Sequence, residues 1–191
     1  MNLTPLFEKQ QQLDQYIVKK KGLEGQDLLP NKILALRVEL GELANEWRGF
    51  KHWSNNQEPR YERKCHACKG RGKFAQVDAC GYCGGTGVEA KPLLEEYIDC
   101  LHFILSIGND LNITDEWVTD IDLSEPDYTD VTSQLNHIFG LIDTDMDAHD
   151  WFGIAEQFIS LGSLFGFSWE QIEQAYSEKW DENFRRQNVG Y

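Results

Sequence analysis

The chain has 191 residues, 41% of them hydrophobic, which is enough to bury the core of one domain with a small additional module. Its 32 Asp and Glu residues outnumber its 18 Lys and Arg residues and give a formal net charge of −14. Proteins that bind nucleic acid through many phosphates are usually basic, so this charge argues against that function. Charged residues interrupt the first twenty positions, and no apolar run reaches the roughly 18 residues of a membrane span. We therefore expect a cytoplasmic protein that does not act at a membrane.

An amphipathic helix is predicted over 5–20, followed by a glycine-bearing loop at 22–30. A second helix is predicted from Ile33 to Phe50, with Asn31 as its N-cap. Apolar residues at steps of three and four form its buried stripe, which consists of Ile33, Leu36, Leu40, Leu43 and Trp47. Glutamates repeat the same spacing on a neighbouring stripe, at positions Glu39, Glu42 and Glu46. Carboxylates this close to a core need a cation or hydrogen bonds to offset their desolvation.

The helical pattern stops after Ser54 and resumes at 92–111, where Glu96 and Asp99 lie at the edge of a wide apolar arc. An acidic, loop-rich segment is predicted at 115–130, and helices are predicted near 132–142 and 149–165, the latter ended by Gly166. Ser168 and Gln171 match a capping box that opens the last helix, at 169–187. The pattern predicts an all-α bundle formed by 1–54 and 92–191, with an inserted module at 55–91.

Two helices each carry a pair of acids three residues apart, Glu39 with Glu42 and Glu96 with Asp99. If these helices pack together, four carboxylates surround one point, an environment that suits Mg²⁺ or Mn²⁺ and leaves positions for phosphate oxygens. One face of the last helix carries side chains suited to a triphosphate, from Tyr176 through Lys179 and Asn183 to Arg186, whereas Arg185 points elsewhere. The pattern indicates metal-assisted hydrolysis of a nucleotide, with Glu42 as the predicted base.

These motifs resemble those of the all-α dimeric dUTPases, within the MazG-related nucleotide pyrophosphohydrolases, and in particular their Gram-positive-type branch. The matching segments are Glu39-Leu-Gly-Glu42, Glu96-Tyr-Ile-Asp99 and Tyr176-x-x-Lys179-x-x-x-Asn183-x-x-Arg186-Gln187-x-x-Gly190-Tyr191. The resemblance covers roughly 1–53 and 92–191 and leaves out the insert. It implies a homodimer that hydrolyses dUTP to dUMP and pyrophosphate with Mg²⁺.

The same resemblance implies roles for individual residues. The Mg²⁺ ligands would be Glu39, Glu42, Glu96 and Asp99, and the phosphate contacts Lys179, Asn183 and Arg186. The base-reading Gln-x-x-Asn motif of the family maps onto Gln11 and Asp14, where an acid replaces the amide. Trp47 and Trp53 are candidates for stacking on the base.

The insert explains why 53 residues separate Glu42 from Glu96. It holds two C-x-x-C-x-G-x-G repeats, with Cys65 and Cys68 in the first and Cys80 and Cys83 in the second, a spacing typical of a four-thiolate zinc site. The repeats resemble the zinc-binding repeats of DnaJ-type co-chaperones. A redox dithiol is the alternative, and His66 is a substitute ligand that four cysteines make unnecessary. We expect the zinc to be structural and the module dispensable for chemistry, and we expect Cys100 to lie in the core.

Two further functions are compatible with these motifs. The first is a related hydrolase that acts on another nucleotide, such as dCTP, and it stays open because Asp14 stands where the family motif has an amide. The zinc module alone would suit an adaptor that binds unfolded protein or nucleic acid, although the charge of −14 disfavours nucleic acid. Pyrophosphate release measured on a panel of nucleotides, with and without Mg²⁺, separates these functions from dUTP hydrolysis.

Overall fold

The computed structural model of the chain describes residues 2–113 and 126–190. Within those residues the helices are α1 (Thr4–Lys21), α2 (Leu29–Trp47), α3 (Pro92–Asp110), α4 (Val131–Leu141), α5 (Ala148–Leu164) and α6 (Trp169–Asn188). Strands β1 (Arg63–Lys64) and β2 (Val88–Ala90) form an antiparallel ribbon inside the insert. The fold is all-α, as predicted. Most of the predicted acidic loop at 115–130 lies outside the described residues.

The ends of the helices follow local chemistry. Ser168 accepts a hydrogen bond from the backbone of Gln171, whose side chain accepts one in return, so the predicted capping box of α6 is confirmed. Gly166, with a φ of +76°, follows α5 and ends the helix as predicted. The prediction that Asn31 caps α2 is wrong, because the helix starts two residues earlier, at Leu29. Pro30 is tolerated there since the first turn needs no backbone donor.

Helix α3 is the centre of the bundle. It contacts α1, α2, α5 and α6, and most of its side chains are buried. Tyr97 stacks on Phe158 with ring centroids 4.5 Å apart, and the indole nitrogen of Trp151 donates to the Ile104 carbonyl at 2.7 Å. Cys100 is fully buried in this core, as predicted. In the described part of the chain, no helix combines the length and apolar character that a bilayer crossing requires.

The insert leaves the bundle after α2 and returns directly into α3. Its ribbon pairs Arg63 with Ala90 and Lys64 with Val88. Beyond the ribbon the chain has little regular structure and packs around the cysteines, which form a small core of their own with Ala67 and Phe74. The ribbon therefore connects two unequal units, a helical body and a cysteine-centred tip.

Candidate active site

The packing of α2 against α3 creates a cluster of acids. Carboxylate oxygens of Glu39, Glu96 and Asp99 all lie within 4.8 Å of one another. The two helices run antiparallel, since Lys32 near the start of α2 forms an ion pair with Asp110 at the end of α3 at 2.7 Å. Glu42 is exposed and lies outside this group of three. We refer to Glu39, Glu96 and Asp99 as the acid cluster.

The acids of the cluster are held in an environment that disfavours their charge. Burial, with smaller contributions from the neighbouring carboxylates of Asp99 and Glu42, raises the pKa of Glu39 and that of Glu96 to about 7. Burial also raises the pKa of Asp99, against the opposing effect of the Lys179 ammonium. Three partly buried carboxylates with so little compensating charge fit a divalent cation with oxygen ligands.

One cation reaches the acid cluster from α6. The Nζ atom of Lys179 donates to Oδ2 of Asp99 at 2.5 Å. The charge of Arg186 lowers the pKa of Asp99, and its Nε donates to Oε1 of Glu182 at 3.0 Å. Arg185 is exposed and donates two nitrogens to the same glutamate. Both arginines therefore pair with Glu182, but only Arg186 of the two acts on Asp99 and lines the cleft described below.

The predicted face of α6 is divided in the structure. Tyr176 does not join Lys179, Asn183 and Arg186 at the surface, because its ring is fully buried. Its hydroxyl donates to Oε1 of Gln10 at 2.7 Å. The expectation that Tyr176 shares the phosphate-facing surface is therefore wrong, since helical spacing locates a face without fixing where the core boundary crosses it.

A cleft of about 950 Å³ is connected to the acid cluster through Lys179, which lines the cleft and contacts Asp99, whereas the three acids are not among its lining residues. Helix α6 forms one wall, which includes Lys179 and Arg186. The insert also lines the cleft, through Thr86, Val88–Ala90 and Lys91, and α3 lines it with Leu94 and Ile98. The sequence did not predict that the insert contributes to this cleft, because no residue type in β2 indicates a binding role.

The predicted base-reading residues lie at a second cleft, of about 470 Å³, between α1, the loop after it and the end of α3. Gln11 is exposed there. Asp14 accepts hydrogen bonds from Ser106 Oγ and Gln10 Nε2, both at 2.8 Å. Burial raises the pKa of Asp14, and the nearby Lys32 ammonium opposes that shift.

A buried polar network connects the two regions, and the sequence did not predict it. Gln10 accepts from Tyr176 and contacts Nδ1 of His102 at 2.7 Å, while the rings of His102 and Tyr176 stack with centroids 4.1 Å apart. Because the Gln10 oxygen can only accept, Nδ1 carries the proton of a neutral imidazole. Burial, reinforced by the Lys179 charge, lowers the pKa of His102 to about 3. The spacing of Gln10 and Asp14, four residues apart on one helix, was the available signal.

The two candidate stacking residues differ in exposure. Trp53 is 67% exposed and meets the rings of Phe50 and His52 edge-on, at 5.7 and 5.0 Å. Trp47 is partly buried and packs against the core. The residues that line the two clefts described above include neither tryptophan.

The four cysteines of the insert meet at one point. The Sγ atoms of Cys65 and Cys80 are 4.0 Å apart, and those of Cys68 and Cys83 are 3.8 Å apart. A tetrahedral site with Zn–S bonds of about 2.3 Å has S···S distances of about 3.8 Å, so this group fits Zn²⁺. His66 is exposed, and its Nδ1 lies 2.6 Å from Oε2 of Glu89.

Glycines complete the cysteine site in the way that the repeats suggest. The backbone N–H groups of Gly72 and Gly87 donate to the sulfurs of Cys68 and Cys83, each at 3.2 Å. Both glycines have positive φ, and a Cβ at Gly72 would lie 2.2 Å from the carbonyl oxygen of Gly85. Only glycine fits these two positions.

An all-α bundle with a carboxylate cluster, to which a neighbouring helix brings Lys179, is typical of the class of helical nucleotide pyrophosphohydrolases. A model of the family described as dUTPase matches residues 2–65 and 85–191 of the chain. The chain therefore belongs to the dUTPase family, and its activity is that of a dUTP diphosphatase. The match leaves out 66–84, a part of the insert that holds three of the four cysteines. No curated protein and no solved structure matched the chain in the corresponding comparisons.

Proposed function

We propose that the chain hydrolyses dUTP to dUMP and pyrophosphate at the acid cluster, with Mg²⁺ held by Glu39, Glu96 and Asp99 and with Glu42 as the fourth ligand. The observation that carries this proposal is the meeting of the three carboxylates within 4.8 Å, although they come from separate parts of the chain. Their raised pKa values support it, because a bound cation would provide the charge that burial leaves uncompensated. When bound, Mg²⁺ would neutralise the charge that develops on the phosphate oxygens.

The phosphates would be bound by α6. Lys179 already contacts Asp99 and lines the larger cleft together with Arg186, so both cations can reach an anion that lies over the acid cluster. Asn183, half-buried between them on the helix, would donate its amide to a phosphate oxygen. Glu42 is exposed to water beside the cluster, which suits a base that removes a proton from the attacking water.

The base would be read at the smaller cleft by Gln11 and Asp14. Asp14 offers oxygens where the family motif has an amide, so replacing it by Asn tests the nucleotide preference. If Asp14 reads the base, Asp14→Asn should change the ratio of kcat/KM for dUTP to that for dCTP. An unchanged ratio in a folded variant would remove Asp14 from base recognition.

Zinc and dimerisation complete the proposal. The four cysteines would hold a structural Zn²⁺, since they form a closed set of four ligands and the glycine amides stabilise the sulfurs.

A homodimer would cover the outer face of α2, where Leu34 is 62% and Val38 is 50% exposed. Light scattering of the purified protein tests the dimer, and metal analysis tests for one zinc per chain.

The decisive experiment measures pyrophosphate release from a panel of deoxynucleoside triphosphates, with Mg²⁺, with Mn²⁺ and without either ion. We expect dUTP to be the best substrate, and we expect no release without the divalent ion. Asp99→Asn serves as the inactive control. Equal hydrolysis of dUTP and dCTP would favour a broader nucleotide hydrolase, and no release from any nucleotide would contradict the proposal.

A further inference from the structure

We propose that Arg60, at the base of the insert, is a positioning residue that holds the two acid-bearing helices in register for metal binding. This inference rests on the proposed metal site. Arg60 contacts neither the acid cluster nor the larger cleft among the interactions of the described residues. It acts on the ends of α2 and α3, which carry the acids.

The backbone of Arg60 bridges these two helix ends. Its N–H donates to the carbonyl of Glu46 in the last turn of α2, at 3.0 Å, and its own carbonyl accepts from Leu93 N in the first turn of α3, at 3.1 Å. The last carbonyls and the first N–H groups of a helix have no partners within the helix. One residue of the insert therefore supplies a missing partner to each helix and fixes the distance between them.

The position of this bridge determines which acids face each other. Glu42 and Glu39 lie four and seven residues before Glu46, a rise of about 6 and 10.5 Å along α2. Glu96 and Asp99 lie three and six residues after Leu93, a rise of about 4.5 and 9 Å along α3. Because the helices are antiparallel, the bridge places Glu42 level with Glu96 and Glu39 level with Asp99. A slip at the bridge would misalign both pairs.

The side chain of Arg60 strengthens the bridge. Its NH1 atom donates to Oε1 of Glu46 at 2.8 Å, and the Glu46 side chain is only 18% exposed. The other oxygen of Glu46 is buried and has no hydrogen-bond partner within residues 2–113 and 126–190. Without Arg60, a partly buried carboxylate would remain unpaired one turn from Glu42. The guanidinium also lies at the negative end of the α2 dipole.

Binding of Mn²⁺ without nucleotide, followed by the electron paramagnetic resonance signal of the free ion, tests this inference. We expect Arg60→Ala to weaken Mn²⁺ binding about tenfold, the lower end of the effect of losing a residue that supports a metal site. It should lower kcat more than it changes KM. Arg60→Lys, which keeps the charge, should bind Mn²⁺ within about twofold of the parent. Arg63→Ala is the matched control, because Arg63 also pairs with a glutamate of the molecule, Glu89, at 3.0 Å.

A charge reversal keeps the test valid if Arg60→Ala folds poorly. Arg60→Glu should weaken Mn²⁺ binding, and adding Glu46→Arg to it should restore most of the loss. Parent-like Mn²⁺ binding by Arg60→Ala, or no recovery in the double variant, would overturn the role of Arg60. Parent-like binding by Asp99→Asn would instead refute the metal site itself, so the two failures are distinguishable.

Discussion

At the scale of single residues, Glu39 and Glu96 tie the stability of the metal-free protein to pH. Their pKa rises from 4.5 to about 7 on folding, so the folded chain binds more protons than the unfolded chain between these values. The stabilising contribution is present below about pH 4.5 and is lost as pH rises towards 7. We expect the melting temperature in Mg²⁺-free buffer to fall over this range relative to that of Glu96→Gln. Melting temperatures that change in parallel with pH in the two proteins would contradict this prediction.

Mg²⁺ should reverse this dependence. Since the cation competes with protons for the same carboxylates, its affinity should rise between pH 6 and 8. The stabilisation that Mg²⁺ adds to the melting temperature should therefore grow with pH. Titration calorimetry at three pH values in buffers of different ionisation enthalpy measures both the affinity and the protons released. An affinity that is constant across this range would show that the acids are already ionised.

Glu96→Gln separates stability from catalysis. The substitution keeps the shape of the side chain and removes one of the three mutually repelling carboxylates, so the metal-free variant should melt at a higher temperature than the parent. Turnover should fall by about a hundredfold or more, because a proposed metal ligand is lost. Glu95→Gln is the matched control, since Glu95 is exposed on the adjacent position. Near-normal turnover of Glu96→Gln at saturating Mg²⁺ would exclude Glu96 as a ligand.

The two neighbouring arginines of α6 provide a second pair of variants. Arg186→Ala should reduce kcat/KM by ten- to a hundredfold, because a charge-assisted phosphate contact contributes about 1.5–3 kcal/mol. Arg185→Ala removes a surface pair with Glu182 and should change kcat/KM little. Steady-state kinetics with dUTP measures both. Equal losses would show that the direction of the side chain does not matter.

The sequence predicted the acids and cysteines because their spacing carries the chemistry: helical periodicity places Glu96 and Asp99 together, and paired C-x-x-C motifs define a metal site. It did not predict the contacts of Gln10, His102 and Tyr176. Those contacts depend on how α1, α3 and α6 cross, and a crossing geometry leaves no periodic signal in any one helix. The exposure of Glu42 depends on the same packing.

At the scale of elements, the ends of helices were predictable where side chains cap them and harder to predict elsewhere. The Ser168 capping box has a motif of its own. The start of α2 does not, since Leu28 occupies the N-cap position without a side-chain hydrogen bond. The same distinction applies to the insert. The glycines of the repeats were predictable because their place after each cysteine pair has a physical reason, whereas no sequence signal indicated the short strands.

Glycine substitutions test the cysteine site. Gly72→Ala and Gly87→Ala would each place a Cβ within 2.5 Å of a carbonyl oxygen and would strain a positive φ, so both should release zinc readily. Gly81→Ala is the matched control, because its Cβ would meet nothing within 4 Å. The rate of zinc transfer to a chromogenic chelator distinguishes them. Equal rates for all three variants would show that the glycines do not support the site.

At the scale of the whole molecule, the insert has two parts with different expected effects on activity. Arg60 bonds to the ends of α2 and α3, and β2 lines the larger cleft, whereas the tip, at 65–87, supplies only Thr86 to that cleft. Replacing the tip by a two-residue turn should leave dUTP hydrolysis within about tenfold of the parent, or about 1.4 kcal/mol. Replacing all of 55–91 by a short linker should weaken Mn²⁺ binding as well, because Arg60 is lost.

Circular dichroism provides the structural check on these deletions. The helical body has its own core, so both deletions should keep the helix signal of the remaining residues. The tip should unfold when zinc is chelated, because its few buried side chains cannot stabilise it alone. Loss of turnover in a tip deletion with full helix content would make the tip part of the active site.

The contacts of α6 have a consequence for how the enzyme is made. Ribosomes release α6 after α1 and α3, yet α6 supplies Lys179 to Asp99, the Tyr176 hydroxyl to Gln10 and the Trp180 indole N–H to the Lys9 carbonyl. A nascent chain that stops short of α6 holds the acids of the site without their cation and leaves Gln10 incompletely bonded. We expect a chain that ends before Trp169 to lack dUTP hydrolysis, because it lacks Lys179 and Arg186, the proposed phosphate contacts.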